Sequence, residues 1–138
     1  YLVDDQLRRG GLQEDSYFAI LGDLNADPVD GDGQPNAIRN LIAHPRIAKY
    51  PIPDSTGAAE ASSLSRGANL QHKGNPAYDT GDFNDNNPGN LRIDFVLPSA
   101  NFKVLSQGVF WPSSAESKED NELVKASDHR LVWVDVSW

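Results

Sequence analysis

Apolar residues fall into short runs along this chain, and their spacing changes from run to run. Leu2, Val3 and Leu7 stand at helical spacing ahead of Gly10-Gly11, which predicts a helix tail ending in a left-handed cap. Tyr17-Phe18-Ala19-Ile20-Leu21 is a continuous run bounded by turn residues, the pattern of a strand buried on both faces. Such a strand delivers Asp23 and Asn25 to its C-terminal end. The next stretch, from Asp27 to Pro35, is too rich in Gly, Pro and Asp for regular structure. Ile38, Leu41 and Ile42 then resume helical spacing behind Asn36 and predict a helix over about residues 36 to 43. Residues 51 to 90 show little periodicity, and an unstructured stretch of that length is either functional or disordered. Order returns where Leu91, Ile93, Phe95 and Leu97 alternate with Arg92, Asp94 and Val96, a strand that turns Asp94 away from its apolar face. Residues 102 to 111 predict a further strand interrupted at Gly108, and residues 112 to 126 a mobile, charged loop of small residues. Residues 131 to 136 predict a last strand with Asp128 and His129 at its entrance.

Bulk properties narrow the picture only in places. The chain has 138 residues, long enough for one domain with a core, and 38% of them are apolar. Twenty acidic residues against 12 basic ones leave a formal charge of -8, which opposes binding to a polyanion. Nucleic acid is therefore not the favoured partner. With no cysteine there are no disulfides, and no apolar run reaches the length of a membrane span. The start at Tyr1, within a helical pattern, and the lack of any methionine lead us to expect a piece of a longer protein.

Three short motifs carry candidate chemistry, and each is ordinary when taken alone. Gly22-Asp23-Leu24-Asn25 is a common strand-to-loop junction, because Asp and Asn side chains satisfy turn backbone groups. Asp23, Asn25 and Asp27 also match the first ligand spacings of an EF-hand. That reading fails at Pro28, where Gly is required, and at Gln34, where a bidentate Glu is required. Arg92-Ile93-Asp94 places charges on the outer face of a strand, as strands usually do. Ser127-Asp128-His129 cannot form a hydrolase triad, because consecutive residues of an extended segment point to opposite sides. His44 reads as a helix-terminal group, His72 as a loop residue, and Asp79 and Asp82 as solvated loop acids.

Together and in this order, each at a predicted strand end, the motifs resemble the closing half of the endonuclease/exonuclease/phosphatase superfamily, and the likeness extends to His44-Pro45-Arg46, Asp79-Thr80-Gly81-Asp82-Phe83 and Pro88-Gly89-Asn90-Leu91. These last segments are similar to an uncharacterised bacterial branch, often exported, which points to a secreted or periplasmic location. The resemblance implies an α/β fold: half of a deoxyribonuclease I-like four-layer sandwich, one mixed, mainly antiparallel sheet with flanking helices. It implies a phosphoester hydrolase, either nuclease or phosphatase, that uses Mg2+ or Mn2+. By the same analogy Asp23 orients or deprotonates the attacking water, and Asn25 contacts a phosphoryl oxygen and helps hold Asp23. His129 would contact the phosphate as donor or base, Asp94 would accept from its other ring nitrogen and fix its tautomer, and Asp128 would ligate the metal.

The chain departs from that pattern in length. Members are about twice as long and take their principal metal-binding Glu from the first half, whereas Glu14 and Glu60 sit in no matching context here. Residues 1–138 are therefore expected to be the C-terminal portion of a larger domain and to be inactive alone. Strands around residues 17 to 21, 91 to 97 and 131 to 136 would then expose apolar faces. Those faces would pair with the missing N-terminal half or with a second copy. A non-catalytic binding domain that keeps the fold is the alternative.

Overall fold

The computed structural model describes residues 11–138, so the helix predicted over residues 2 to 9 lies outside the described residues. Its elements run β1 (Ala19–Asp23), α1 (Pro35–Ala43), α2 (Thr56–Ser65), β2 (Gly81–Asp82), β3 (Asn90–Leu91), β4 (Asp94–Pro98), β5 (Lys103–Phe110), α3 (Lys118–Leu123) and β6 (Leu131–Ser137), with single 3-10 turns at Gly67–Gln71, Pro76–Tyr78 and Val124–Ala126. The fold is α/β, and every strand pairing among the described residues is antiparallel. The strands form three two-stranded ladders, β1 with β4, β2 with β3 and β5 with β6. Between β3 and β4 the chain leaves the ladders for Arg92 and Ile93 and turns onto Thr80. The N–H groups of Ile93 and Asp94 both donate to the Thr80 hydroxyl, at 3.0 and 2.9 Å.

Two apolar cores flank that turn. In the first, Ile38 of α1 and Ile47 pack on Phe95 and Leu97 of β4, with Phe18, Ile20, Leu41 and Ile42 around them. The single strand predicted over residues 91 to 97 is divided between β3 and β4, but its alternation holds in burial: Leu91, Ile93, Phe95 and Leu97 are buried while Arg92, Asp94 and Val96 are half-buried. Burying a side chain such as Phe95 contributes about 1.5–3 kcal/mol. The second core joins Ala58 of α2 to Val109 and Trp111, with Val124 and Val132 packed against them.

Several expectations change. The run at Tyr17 to Leu21 is covered on one side only. Phe18 and Ile20 meet the first core, but Tyr17 is 53% and Leu21 67% exposed, although Phe102 packs edge-on against Tyr17 with ring centroids 4.8 Å apart. The apolar residues of β4, expected to be open, are covered by α1 and Ile47. Residues 51 to 90 hold α2, whose small residues carry little hydrophobic contrast and hide the period. Ser55 caps it by accepting from the Ala58 N–H at 3.3 Å, and Gly57 lets it approach β5, since a Cβ there would lie 2.3 Å from the Trp111 carbonyl oxygen. Residues 112 to 126 likewise hold α3, capped by Ser117.

Gly108 does not interrupt β5. It pairs with Trp133 of β6, and a Cβ there would lie 2.9 Å from the Trp133 ring. The ladder's irregularity falls between Val104 and Ser106.

Candidate active site

Strand register brings the first two motifs together. Asp23 ends β1 directly opposite Asp94 at the start of β4, and directly opposed residues hold their Cβ atoms about 4.5–5.5 Å apart. Alternation along both strands puts Asp23 and Asp94 on the same face as Leu21 and Val96, the face turned away from the first core. Gly22 takes φ 129° within β1, and past the strand Asn25 at φ 48° turns the chain. Asp23 Oδ1 accepts from the Asn25 N–H at 2.7 Å, so it is the backbone of Asn25 that holds Asp23. The Asn25 side chain is left exposed beside it.

The third motif joins through its histidine. His129 Nδ1 lies 3.2 and 3.1 Å from the two carboxylate oxygens of Asp94. A carboxylate only accepts, so Nδ1 carries the proton and Nε2 faces outward. Phe83 packs edge-on against the imidazole, with ring centroids 5.5 Å apart. The His129 N–H donates to Ser127 Oγ at 3.0 Å, so that serine shapes a turn.

The Asp128 carboxylate is exposed, while its carbonyl accepts from the Asp82 N–H at 2.8 Å. Asp23, Asp94 and His129 are thus brought together, with Asn25 and Asp128 on the adjoining backbone.

Arg130, which sequence reasoning missed, holds this segment down. Its guanidinium sits 4.2 Å over the Trp111 ring and donates to Asp82 Oδ2 at 2.8 Å and to the carbonyls of Ser127 and His129. Burial raises the Asp82 carboxyl above its ordinary range, Arg130 opposes that shift, and Asp85 and Asp128 add to it. Asp82 is therefore an ion-pair partner and no solvated acid.

Asp79 is also no solvated acid. It is 7% exposed, and burial, reinforced by Asp27 and Asp30, pushes its carboxyl up to about 8. Asp27 is engaged by backbone N–H groups from Val29, Asp30 and Arg92, a turn and a cross-link in place of a calcium loop. His44 caps α1 and its Nδ1 accepts from the Arg46 N–H, while His72 Nε2 bonds the Pro88 carbonyl at 2.9 Å. Both histidines are structural. Glu60 is taken up by Ser114, accepting from its N–H at 2.7 Å and its hydroxyl at 2.5 Å.

The model of the Endonuclease/Exonuclease/phosphatase family matches residues 1–129, and the chain belongs to that family. Members are phosphoester hydrolases and generally depend on divalent metal ions. Neither curated proteins nor solved structures gave a match. Among the described residues no group of three or more His, Cys, Asp or Glu could hold a metal ion. The exposed Asp128 carboxylate supplies one hard oxygen donor and does not make a metal site by itself.

Proposed function

We propose that this chain carries one half of the active site of a divalent-metal-dependent phosphoester hydrolase. The observation that carries the reading is the Asp94–His129 hydrogen bond with Asp23 set opposite Asp94 on the same face. Asp94 holds the Nδ1 proton, which leaves Nε2 to donate to a phosphoryl oxygen when protonated or to accept a proton when neutral. Asp23, fixed by the Asn25 N–H, accepts a proton from the attacking water. The Asn25 amide contacts a phosphoryl oxygen. A magnesium or manganese ion would neutralise phosphoryl charge, and Asp128 is the residue of this chain that would help hold it.

In this reading the remaining ligands, a Glu foremost, come from outside residues 1–138, which form the C-terminal portion of a larger domain. The carboxylates stand on the same open face as the exposed Leu21, and on β6 Leu131 is 66% exposed with Trp133 partly open. A polypeptide that covers the β1 face buries Leu21 and completes the site. The N-terminal half of the domain is the partner that fits, and a second copy is the substitute for it in the isolated chain.

The net charge of -8 favours a small or lipid-like phosphoester over nucleic acid. The test is turnover of the intact protein on plasmid DNA and on a chromogenic phosphodiester, with magnesium and with chelator. Metal-dependent cleavage of the phosphodiester with little nicking of the plasmid is expected. Asp23→Ala should lower turnover by roughly 10²-fold or more, as loss of a general base does. Unchanged turnover in that variant, or the absence of any metal-dependent cleavage, defeats the reading.

A further inference from the structure

We infer that Thr80 is a positioning residue for the Asp94–His129 pair, and this rests on the function proposed above. Thr80 is 1% exposed, and its hydroxyl makes three hydrogen bonds. It accepts from the N–H of Ile93 at 3.0 Å and of Asp94 at 2.9 Å, and lies 2.9 Å from Asp94 Oδ2. A threonine hydroxyl has one proton and two lone pairs. The two backbone N–H groups take both lone pairs, so the one proton points at the carboxylate. No other rotation of the hydroxyl leaves all three contacts made, and Asp94 is held through Oδ2, an oxygen that also lies 3.1 Å from His129 Nδ1.

The backbone of Thr80 closes the same arrangement. Its N–H donates to the Leu91 carbonyl at 2.9 Å, and its carbonyl accepts from the Arg130 N–H at 2.8 Å. The neighbouring Gly81 forms a bridge with His129. One residue thus touches the strand that bears Asp94, the carboxylate itself and the segment that bears His129. Asp94 begins the strand whose Phe95 and Leu97 lie in the first core, and Arg130 stacks over Trp111 of the second. Without the hydroxyl, Asp94 loses a charge-assisted bond, and two backbone N–H groups lose their buried acceptor. The carboxylate is then free to swing off Nδ1, and the imidazole loses its set tautomer and direction. Thr80 touches neither substrate nor water in this account and acts only through Asp94.

The experiment measures kcat and KM in the intact protein for Thr80→Val, which keeps the volume without the hydroxyl, and Thr80→Ser, which keeps the hydroxyl. Thr80→Val should lower kcat by roughly 10–100-fold, the range for partners that orient a ligand or base, with KM within about twofold. Thr80→Ser should stay near wild type. Added to Asp94→Ala, Thr80→Val should cost nothing further, because the residue it orients is gone. An equal loss in both backgrounds would show a merely structural role and overturn the inference, as would wild-type kcat in Thr80→Val. Should the valine variant not fold, Thr80→Ala carries the same comparison. His129→Ala separates the two claims. If it too keeps turnover, the proposed function falls. If it loses turnover while Thr80→Val does not, only the positioning role falls.

Discussion

Single side chains of this protein do more than their types announce. Asp23, Asp94 and His129 were singled out through the resemblance that three motifs, each ordinary alone, carry together, and the structure sets Asp23 opposite Asp94 and His129 within hydrogen-bond distance of it. Thr80 and Arg130 were not legible. A buried threonine acts through where its one proton points, and an arginine after a histidine looks like surface charge until Trp111 and Asp82 come to it from distant segments. Asp79 shows the same limit, since a loop aspartate reads as solvated until the loop is buried.

Asp79 yields a prediction whose sign follows from its shift. Its folded-state value of about 8 lies above the ordinary aspartate range, so between about pH 4 and 8 the folded chain holds a proton that the unfolded chain has released. Stability from this group is present below that window and is lost as pH rises through it. Urea unfolding at pH 5 and at pH 8 should show the wild type losing stability relative to Asp79→Asn by on the order of a few kcal/mol. Parallel pH dependence of the two chains would contradict the assignment.

At the scale of elements, periodicity sufficed where hydrophobic contrast was strong. The helix predicted over about residues 36 to 43 is α1 at Pro35–Ala43, and the alternating run is shared between β3 and β4. It failed for α2 and α3, whose small and charged residues leave few apolar positions to mark a period. The Tyr17 run misled for another reason. Continuous apolarity means burial on both faces only if both faces find partners, and among the described residues β1 has one.

Helix α2 also separates propensity from packing. Alanine is favoured over glycine in a helix by about 1 kcal/mol, so Gly57→Ala would stabilise α2 in isolation. The new methyl would instead press on the carbonyl oxygens of Trp111 and Pro112, at 2.3 and 2.6 Å, and these are backbone atoms that cannot swing aside. The substitution should therefore destabilise the chain by about 1–3 kcal/mol, read as a lowered Tm. A raised Tm would mean that α2 packs more loosely on the strand than described.

For the molecule as a whole, the pairing proposed above would act through the open faces of β1 and β6. Leu21, Leu131 and Trp133 are exposed on those strands, and the site carboxylates share the β1 face. Sedimentation at micromolar concentration should show the isolated chain self-associating, with Leu21→Lys and Leu131→Lys together shifting it to monomer. A wild-type chain that is monomeric throughout would remove the proposed pairing. Family membership was legible in the order and spacing of three motifs. What completes the site was not, because the ligands that would close it lie on no element described here.

The central claim is that Asp94 and His129 act as one unit in phosphoester cleavage. A double-mutant cycle in the intact protein tests it most directly, with turnover of a chromogenic phosphodiester measured for Asp94→Ala, His129→Ala and both together. His129→Ala should lower kcat by roughly 10²–10⁴-fold, and adding Asp94→Ala should change little more, since the carboxylate works through the imidazole. Independent, multiplying losses, or a His129→Ala variant that keeps wild-type turnover, would contradict the account.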